Sequence, residues 1–279
     1  MANPAALHAL LLLSDSALPL GSFAFSSGLE SYLAHNKHNK HHSPSPSSLS
    51  PSSLSTSSST PTPTPTPLQT FDAFLDMSLR NLASTSLPYV LDAYHDPSHL
   101  LDLDNDLDAS TPCTVARRAS VAQGKALVGL WERALAPEGG EGCLEGVEAM
   151  RGIGAALKAR GKERGGDGDG EWGLGLRVNA HFAPLFGVVC RALGLAAEET
   201  AYLFLLNHTK AVLSAAVRAS VMGPYQSHAM LASVKLQERI KAYVNHEKGT
   251  RVEDAGLTVP PMDLWLGRHE LLYSRIFNS

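Results

Sequence analysis

Apolar residues along most of the chain recur three and four positions apart, which is the periodicity of an amphipathic α-helix. The segment capped by Thr70 shows this pattern, with Phe71, Phe74, Leu75 and Leu79 on one face. β-branched alternation is absent nearly everywhere, and no Asn-Gly or Asp-Gly joins two alternating runs. The pattern therefore predicts an all-α fold, a single-domain bundle of about eight to ten helices.

Capping residues, prolines and glycines set the expected helix ends. The Gly223-Pro224 pair is expected to stop one helix and to start the next. The segment 182–193 is apolar nearly all round, which predicts a buried central helix. Nine helices are predicted in all, over residues 3–14, 26–36, 70 to at least 82, 111–137, 143–160, 182–193, 198–222, 224–248 and 262–273.

Three stretches interrupt the helical pattern. Residues 43–67 contain only Ser, Pro, Thr and two leucines, and their Thr-Pro repeat favours polyproline II over a packed core. With its flank, at about 36–67, this stretch is predicted to be a disordered insertion in one domain that spans 1–279. The acidic run at about 96–110 and the glycine-rich run at about 161–175 are predicted to be flexible loops.

Charge and composition narrow the class of protein. The 279 residues include 23 Lys and Arg and 27 Asp and Glu, a net charge of −4, which argues against a nucleic-acid partner. No apolar run approaches the roughly 20 residues of a membrane span. The first basic residue is Lys37, so the N-terminal segment lacks the cationic region that a signal peptide or a presequence requires. Three widely spaced cysteines suit reduced thiols, and a cytoplasmic protein is expected.

The sequence shows no complete catalytic or metal-binding constellation. A helical hydrolase or transferase that uses Ser26, Glu30 and a distant histidine stays open as an alternative, as does a helical adaptor of another kind. Four clustered histidines have a spacing at which imidazoles bind nickel or zinc, but no thiolate or carboxylate completes a site, and solvated residues at the edge of the insertion are the commoner case. These histidines are His35, His38, His41 and His42.

The segment Leu10–Glu30 reads as a helix, a sharp turn and a second helix. Residues 17–30 match Ala-Leu-Pro-x-Gly-x-Phe-x-x-Ser-x-Gly-Leu-Glu at every fixed position. Pro19 and Gly21 break the chain, because proline ends a helix and glycine permits tight turns. This segment resembles the N-terminal signature of the urease accessory protein UreF family.

Two further blocks carry the same resemblance. The segment His181–Gly187, followed by a helix that ends in Ser214–Arg218, is similar to the central helices of the family. The C-terminal segment Leu272–Ser279 is similar to its closing Ser-Arg-Leu-Phe-x-Ser tail. Bacterial members tend to have Gly-Gln where this chain has Gly223-Pro224, so the resemblance indicates a eukaryotic, fungal or algal-type member.

The resemblance implies a UreF-like homodimer that is not an enzyme. Members of the family bridge the UreD (also called UreH) accessory protein and the UreG GTPase, and the assembly docks on apo-urease and delivers nickel. No tightly bound cofactor is therefore expected, nickel passes through the complex, and neither nucleic acid nor a membrane is an expected partner. Helices 177–194 and 197–222 also carry more apolar surface than one small bundle easily buries, which favours a two-fold symmetric dimer.

The resemblance and the residue types together give the candidate site, with no catalytic and no metal-ligating residue. The resemblance implies that the C-terminal tail becomes ordered on binding UreD, and a tail that folds back onto its own core stays open as the alternative. The tail is a candidate partner site because aromatic side chains and arginine dominate interface hot spots. The predicted partner-binding residues are Tyr273, Ser274, Arg275, Ile276, Phe277, Glu30, Ser26 and Arg218. The predicted structural turn residues are Pro19, Gly21, Gly28, Gly223 and Pro224.

Overall fold

The computed structural model describes residues 4–41, 66–137, 143–163 and 177–278. This part of the chain contains eleven α-helices and no strand, which confirms the all-α prediction. The helices are α1 (Pro4–Leu13), α2 (Leu29–His41), α3 (Pro67–His95), α4 (Leu100–Ser110), α5 (Thr114–Leu130), α6 (Leu144–Glu163), α7 (Phe182–Ala192), α8 (Ala197–Arg218), α9 (Pro224–Leu231), α10 (Val234–Glu247) and α11 (Pro261–Arg268). Within the described ranges, no helix is both long and apolar enough to cross a membrane.

Helix α7 lies at the centre of the bundle, as its sequence predicts. Nine of its eleven residues are buried, and it packs against α3, α5 and α6. Most apolar positions of α8 are likewise buried within the same chain, and Tyr202, Leu206 and Val217 are partly buried. The surface that was expected to require a second copy of the chain is therefore already buried, so this argument for a homodimer is wrong.

Two glycines allow the backbones around α7 to approach closely. A Cβ atom on Gly187 would lie 2.0 Å from the carbonyl oxygen of Val90 in α3. A Cβ atom on Gly124 in α5 would lie 1.9 Å from the carbonyl oxygen of Ala180, just before α7. Neither distance is possible for real atoms, so glycine is required at both crossings.

The acidic run predicted as a loop at about 96–110 is mostly the helix α4. Leu100, Leu103 and Leu107 form its buried face, at the three- and four-residue spacing of a helix. Asp104 is also buried, and its carboxylate accepts hydrogen bonds from three backbone N–H groups in the segment just before α7. These donors are Asn179 (2.7 Å), Ala180 (3.1 Å) and His181 (2.6 Å). The prediction of a loop is wrong, because the helical spacing of these leucines determines the structure of the segment and its many aspartates do not.

A second polar network holds the same end of α7. The buried His181 ring lies 3.0 Å from Ser120 Oγ through Nδ1 and 3.1 Å from Asp108 Oδ1 through Nε2. Ser120 Oγ also accepts a hydrogen bond of 3.2 Å from the Phe182 N–H, the first residue of α7. Ser120 Oγ thus contacts both the His181 ring and the Phe182 backbone, and the network joins α4, α5 and α7.

The predicted helix at 224–248 is in fact two helices, α9 and α10. They are separated at Ala232 and Ser233, and Ser233 Oγ accepts a hydrogen bond of 3.2 Å from the N–H of Leu236. A serine in this position is a helix N-cap, which starts a new helix. This break and the addition of α4 account for eleven helices where nine were predicted.

The described residues also change the boundaries of the insertion predicted at 36–67. Helix α2 continues to His41, and Thr66 caps α3. Thr66 Oγ1 accepts from the Gln69 N–H at 3.2 Å, and Gln69 Oε1 accepts from the Thr66 N–H at 2.9 Å, while Pro67 is the first helical residue. The rest of the insertion, 42–65, lies outside the described residues. So does 164–176, whereas the first part of the loop predicted at 161–175 belongs to α6.

Substitution of Gly187 by alanine tests the close crossing of α7 and α3. Because its Cβ would overlap the Val90 carbonyl, Gly187→Ala is expected to lower the free energy of unfolding by about 1–3 kcal/mol. Gly152→Ala in α6 is the matched control, since a Cβ there meets open space and alanine favours a helix by up to about 1 kcal/mol. Urea unfolding of both variants measures the difference, and equal stabilities would contradict the packing.

Candidate partner-binding site

The N-terminal motif forms two tight turns between α1 and α2. The N–H of Leu20 donates to the carbonyl of Leu18 at 2.7 Å, a three-residue turn around Pro19. Gly21 follows with a φ of +71°, a left-handed conformation that favours glycine. Gly28 has a φ of +83°, and a Cβ atom there would lie only 3.3 Å from the Leu266 nitrogen in α11. These three of the five predicted turn residues thus lie at sharp changes of chain direction.

The C-terminal tail, residues 272–278, lies against this motif. Phe277 is buried, and the guanidinium carbon of Arg218 lies 4.4 Å from the centre of its ring, a cation–π contact. Arg218 also donates a hydrogen bond to the carbonyl of Phe23. The N–H of Asn278 donates to the carbonyl of Ala24 at 2.8 Å. Arg218 therefore joins the end of α8, the N-terminal turn and the tail.

Glu30 is the polar centre of this contact. Its Oε1 accepts a hydrogen bond of 2.8 Å from the N–H of Ile276, and its Oε2 accepts one of 3.4 Å from the N–H of Phe277. The same Oε2 lies 3.0 Å from Nε2 of His269. The Glu30 side chain is 13% exposed and the His269 side chain 0%, so the pair is shielded from water.

The docked tail corrects the expectation that this segment stays loose until UreD binds. One aromatic ring is buried, and three backbone N–H groups of the tail donate to acceptors on the N-terminal motif. Those contacts offset the entropy cost of ordering a chain end within the single chain. The tail packs on its own core, and partner contacts can come only from the side chains that still face outward.

The outward side of the tail is apolar at its centre and charged at its edge. Tyr273 is fully exposed, Ile276 is 62% exposed, and Ser274 is also exposed. Arg275 donates to Glu270 at 2.8 Å, and Arg118 pairs with the same carboxylate. Hydrogen bonds from Arg118 and then Arg275 hold the pKa of the Glu270 carboxyl below its ordinary value. Phe277 thus anchors the tail, whereas the other four predicted tail residues remain accessible.

Ser26 and Gly223 have other roles than those expected, whereas Pro224 starts a helix as predicted. Ser26 is completely buried, and its carbonyl accepts the Leu29 N–H where α2 begins, so it cannot touch a partner in this conformation. Helix α8 already ends at Arg218, before the Gly223-Pro224 pair. Gly223 has an ordinary φ of −81°, and Pro224 is the first residue of α9. The pair therefore starts a helix but does not stop one.

The geometry gives no support to a hydrolase built on Ser26 and Glu30. Ser26 is buried, and Glu30 faces His269 and the tail backbone. Within the described ranges, no group of three or more His, Cys, Asp or Glu could hold a metal ion. For the histidine cluster, the backbone of α2 extends over His35, His38 and His41, while His42 and the side chains of His38 and His41 lie outside the described residues.

A cavity of about 590 Å³ lies between the N-terminal motif, α3, α5 and α8. On one wall, Ser78 Oγ lies 2.8 Å from Nε2 of His208, and burial lowers the pKa of His208 to about 4. On the same side, Asn81 Oδ1 is buried without a hydrogen-bond partner among the described residues. Arg218 also lines the cavity. Sequence reasoning missed this space, because its lining comes from helices far apart in the chain.

Known proteins with similar sequences cover nearly the whole chain. Residues 67–235 match the family model UreF. An uncharacterized urease accessory protein UreF-like of Schizosaccharomyces pombe is 32% identical over 273 residues, 98% of this chain and 97% of that protein. Urease accessory protein 6 of Cryptococcus neoformans var. grubii is 27% identical, with 99% of each chain covered. Urease accessory protein F of Oryza sativa subsp. indica is 27% identical, over 95% of this chain and 82% of that one.

The lowered pKa of His208 predicts a loss of stability in acid. The unfolded chain returns this side chain to its ordinary pKa of 6.5, so below that pH the unfolded state binds a proton that the folded state refuses until about pH 4. The free energy of unfolding is expected to fall between those two values, by at most about 1.4 kcal/mol per pH unit from this group.

Urea unfolding of the wild type and of His208→Gln at several pH values isolates this contribution. The variant should lose less stability than the wild type as the pH falls, because glutamine takes up no proton in either state. Ser214→Ala, at an exposed serine that lines the same cavity, is the control and should keep the wild-type slope, because it neither adds nor removes a titratable group. An unchanged slope in His208→Gln would contradict the assignment.

Proposed function

The chain belongs to the UreF family of urease accessory proteins, and from this premise we propose that it is a non-catalytic chaperone scaffold in urease maturation. It bridges the UreD (UreH) accessory protein and the UreG GTPase, and the assembly docks on apo-urease in the cytoplasm. Nickel is the cargo of this complex and not a resident cofactor. No nucleic acid and no membrane takes part.

The observation that carries this proposal is the exposed outer face of the docked tail. Leu271, Tyr273 and Ile276, called here the tail ridge, are 79%, 108% and 62% exposed within six residues. Clustered exposed apolar side chains mark interaction sites, and an aromatic residue at their centre is typical of a hot spot. We assign the tail ridge to UreD, because the tail is one of the segments that carry the family resemblance.

A second exposed surface supports the proposed homodimer. Helix α9 has no buried residue in the single chain, and Tyr225 on it is 90% exposed. Val234, at the start of α10, is 66% exposed. We assign this face to a second copy of the chain, because a two-fold axis uses the same patch on both subunits and the apolar faces of α7 and α8 are already covered.

The cavity supports a passive part in nickel transfer. One wall carries the uncharged imidazole of His208, a hydrogen-bonding group of the kind that can solvate a hydrated ion in transit. We propose that such a space transmits an ion and does not retain it.

Removal of the tail ridge tests the assignment to UreD. Tyr273→Ala combined with Ile276→Ala is expected to weaken capture of the UreD homologue by roughly thirtyfold or more, since loss of a hot spot costs about 2 kcal/mol. Both side chains are exposed, so helicity and thermal stability should be unchanged. Co-purification and circular dichroism provide the two readouts.

Leu144→Ala is the matched control, because Leu144 is as exposed as Ile276 but lies at the start of α6. It should leave capture of the UreD homologue unchanged. Full capture by the Tyr273/Ile276 double variant, or equal loss in the control, would remove the tail ridge from the proposed interface.

Light scattering tests the homodimer and its proposed face. The wild type should give about twice the 29.7 kDa of one chain at tens of micromolar. Tyr225→Asp places a charge at the centre of the proposed two-fold contact, and it should give a folded monomer of 29.7 kDa. A monomeric wild type would contradict the dimer, and a dimeric Tyr225→Asp would contradict only its location.

A further inference from the structure

His269 is a buried histidine whose position in the chain carries no motif. It opens the single helical turn that follows α11, and its side chain is 0% exposed. Its Nε2 lies 3.0 Å from Oε2 of Glu30. A carboxylate can only accept, so the ring hydrogen of this contact is on Nε2. Nδ1 is buried as well, and no residue in the described part of the chain offers it a hydrogen bond.

That unpartnered nitrogen is informative. A buried polar atom without a hydrogen bond destabilises the folded state, and a leucine side chain of similar size would fill the same space without that loss. The ring is therefore ill suited to a role in packing alone. What the histidine adds over an apolar residue is the single hydrogen bond from Nε2 to Glu30.

Glu30 in turn has little freedom to rotate. Its two oxygens must face the N–H groups of Ile276 and Phe277, which lie side by side in the tail. A carboxylate held only by those two groups can turn away whenever the tail loosens. His269 donates a third hydrogen bond to Glu30 from the buried side. This bond keeps the carboxylate in place even when the tail has moved away.

We propose that His269 is a positioning residue for the partner-binding tail. By holding the Glu30 carboxylate, it keeps the tail backbone docked in the free protein, so that Tyr273 and Ile276 are presented in a fixed arrangement before a partner arrives. Pre-ordering lowers the entropy cost of association. The identity of that partner as UreD rests on the proposed function, whereas the effect on the tail does not.

Amide hydrogen exchange of the free, full-length protein tests the effect on the tail. His269→Leu should speed the exchange of the Ile276 and Phe277 amides by roughly ten- to a hundredfold, which is the loss expected when one buried charge-assisted hydrogen bond is removed. His269→Gln keeps a side-chain N–H donor and should restore exchange to within a few fold of the wild type. Amides of α7 serve as the internal control and should be unchanged in both variants.

Two results would overturn the proposal at this stage. One is unchanged exchange in His269→Leu. The other is equal loosening in the leucine and glutamine variants, which would mean that the ring acts through its shape alone. If His269→Leu fails to fold, Glu30→Gln takes its place, because an amide cannot accept at both positions, and the same two amides should exchange faster.

Association kinetics with the UreD homologue test the consequence. His269→Leu should slow association about tenfold, with recovery in His269→Gln, although no contact atom of the tail ridge has been removed. Tyr273→Ala should give the opposite combination of weak capture and unchanged tail exchange. Normal association in a His269→Leu protein with a loosened tail would overturn the claim that pre-ordering serves capture. Failure of the wild type to capture UreD would refute the proposed function but leave the exchange test decisive for the role of His269.

Discussion

The burial of α7 between α3, α5 and α6 is the constraint on which the other helices depend. A helix that is buried on nearly every side cannot leave the N–H and C=O groups of its ends to water. Here the Ser120 hydroxyl accepts the N–H of Phe182, the first residue of α7, and the N–H of Leu195 donates to the carbonyl of Cys190 in its last turn. The Asp104 carboxylate holds the chain just before the helix by accepting from the N–H of His181. Glycine at 187 then lets α3 approach to backbone contact. Burial of α7 therefore requires three features around it. These are the Asp104 acceptor in α4, the close approach of α3 and the close approach of α5.

Much of the fold could be predicted from local patterns, because amphipathic spacing and caps act within a few residues. The two wrong predictions, the loop at 96–110 and the single helix at 224–248, have the same cause, because patterns within a few residues do not show distant or capping partners. The acidic run around Asp104 predicts a loop, because nothing nearby in the sequence shows that three N–H groups more than seventy residues away require an acceptor. Ser233 was overlooked as an N-cap inside a continuous helical pattern. In both cases a polar side chain accepts a backbone N–H, and the spacing of apolar residues gives no sign of that contact.

Part of the candidate site could be predicted from the sequence, but its geometry could not. Glu30, Arg218 and the tail residues were selected through the family motifs, and the structure does bring them together around Phe277. The direction in which each side chain faces could not be predicted, because it depends on contacts between residues about sixty to two hundred and fifty positions apart. His269 was not selected at all, since a lone histidine near the end of a chain has no distinguishing pattern until Glu30 is found beside it.

The cap at the start of α3 has an evolutionary consequence. Thr66, Pro67 and Gln69 close the first turn of this 29-residue helix by contacts within four residues of one another. The helix therefore needs no register or direction from the chain that precedes it, and added residues change the closure entropy only logarithmically. A change of length before Thr66 leaves the contacts of this first turn intact, so the start of α3 is open to neutral drift in a way that the ends of α7 are not.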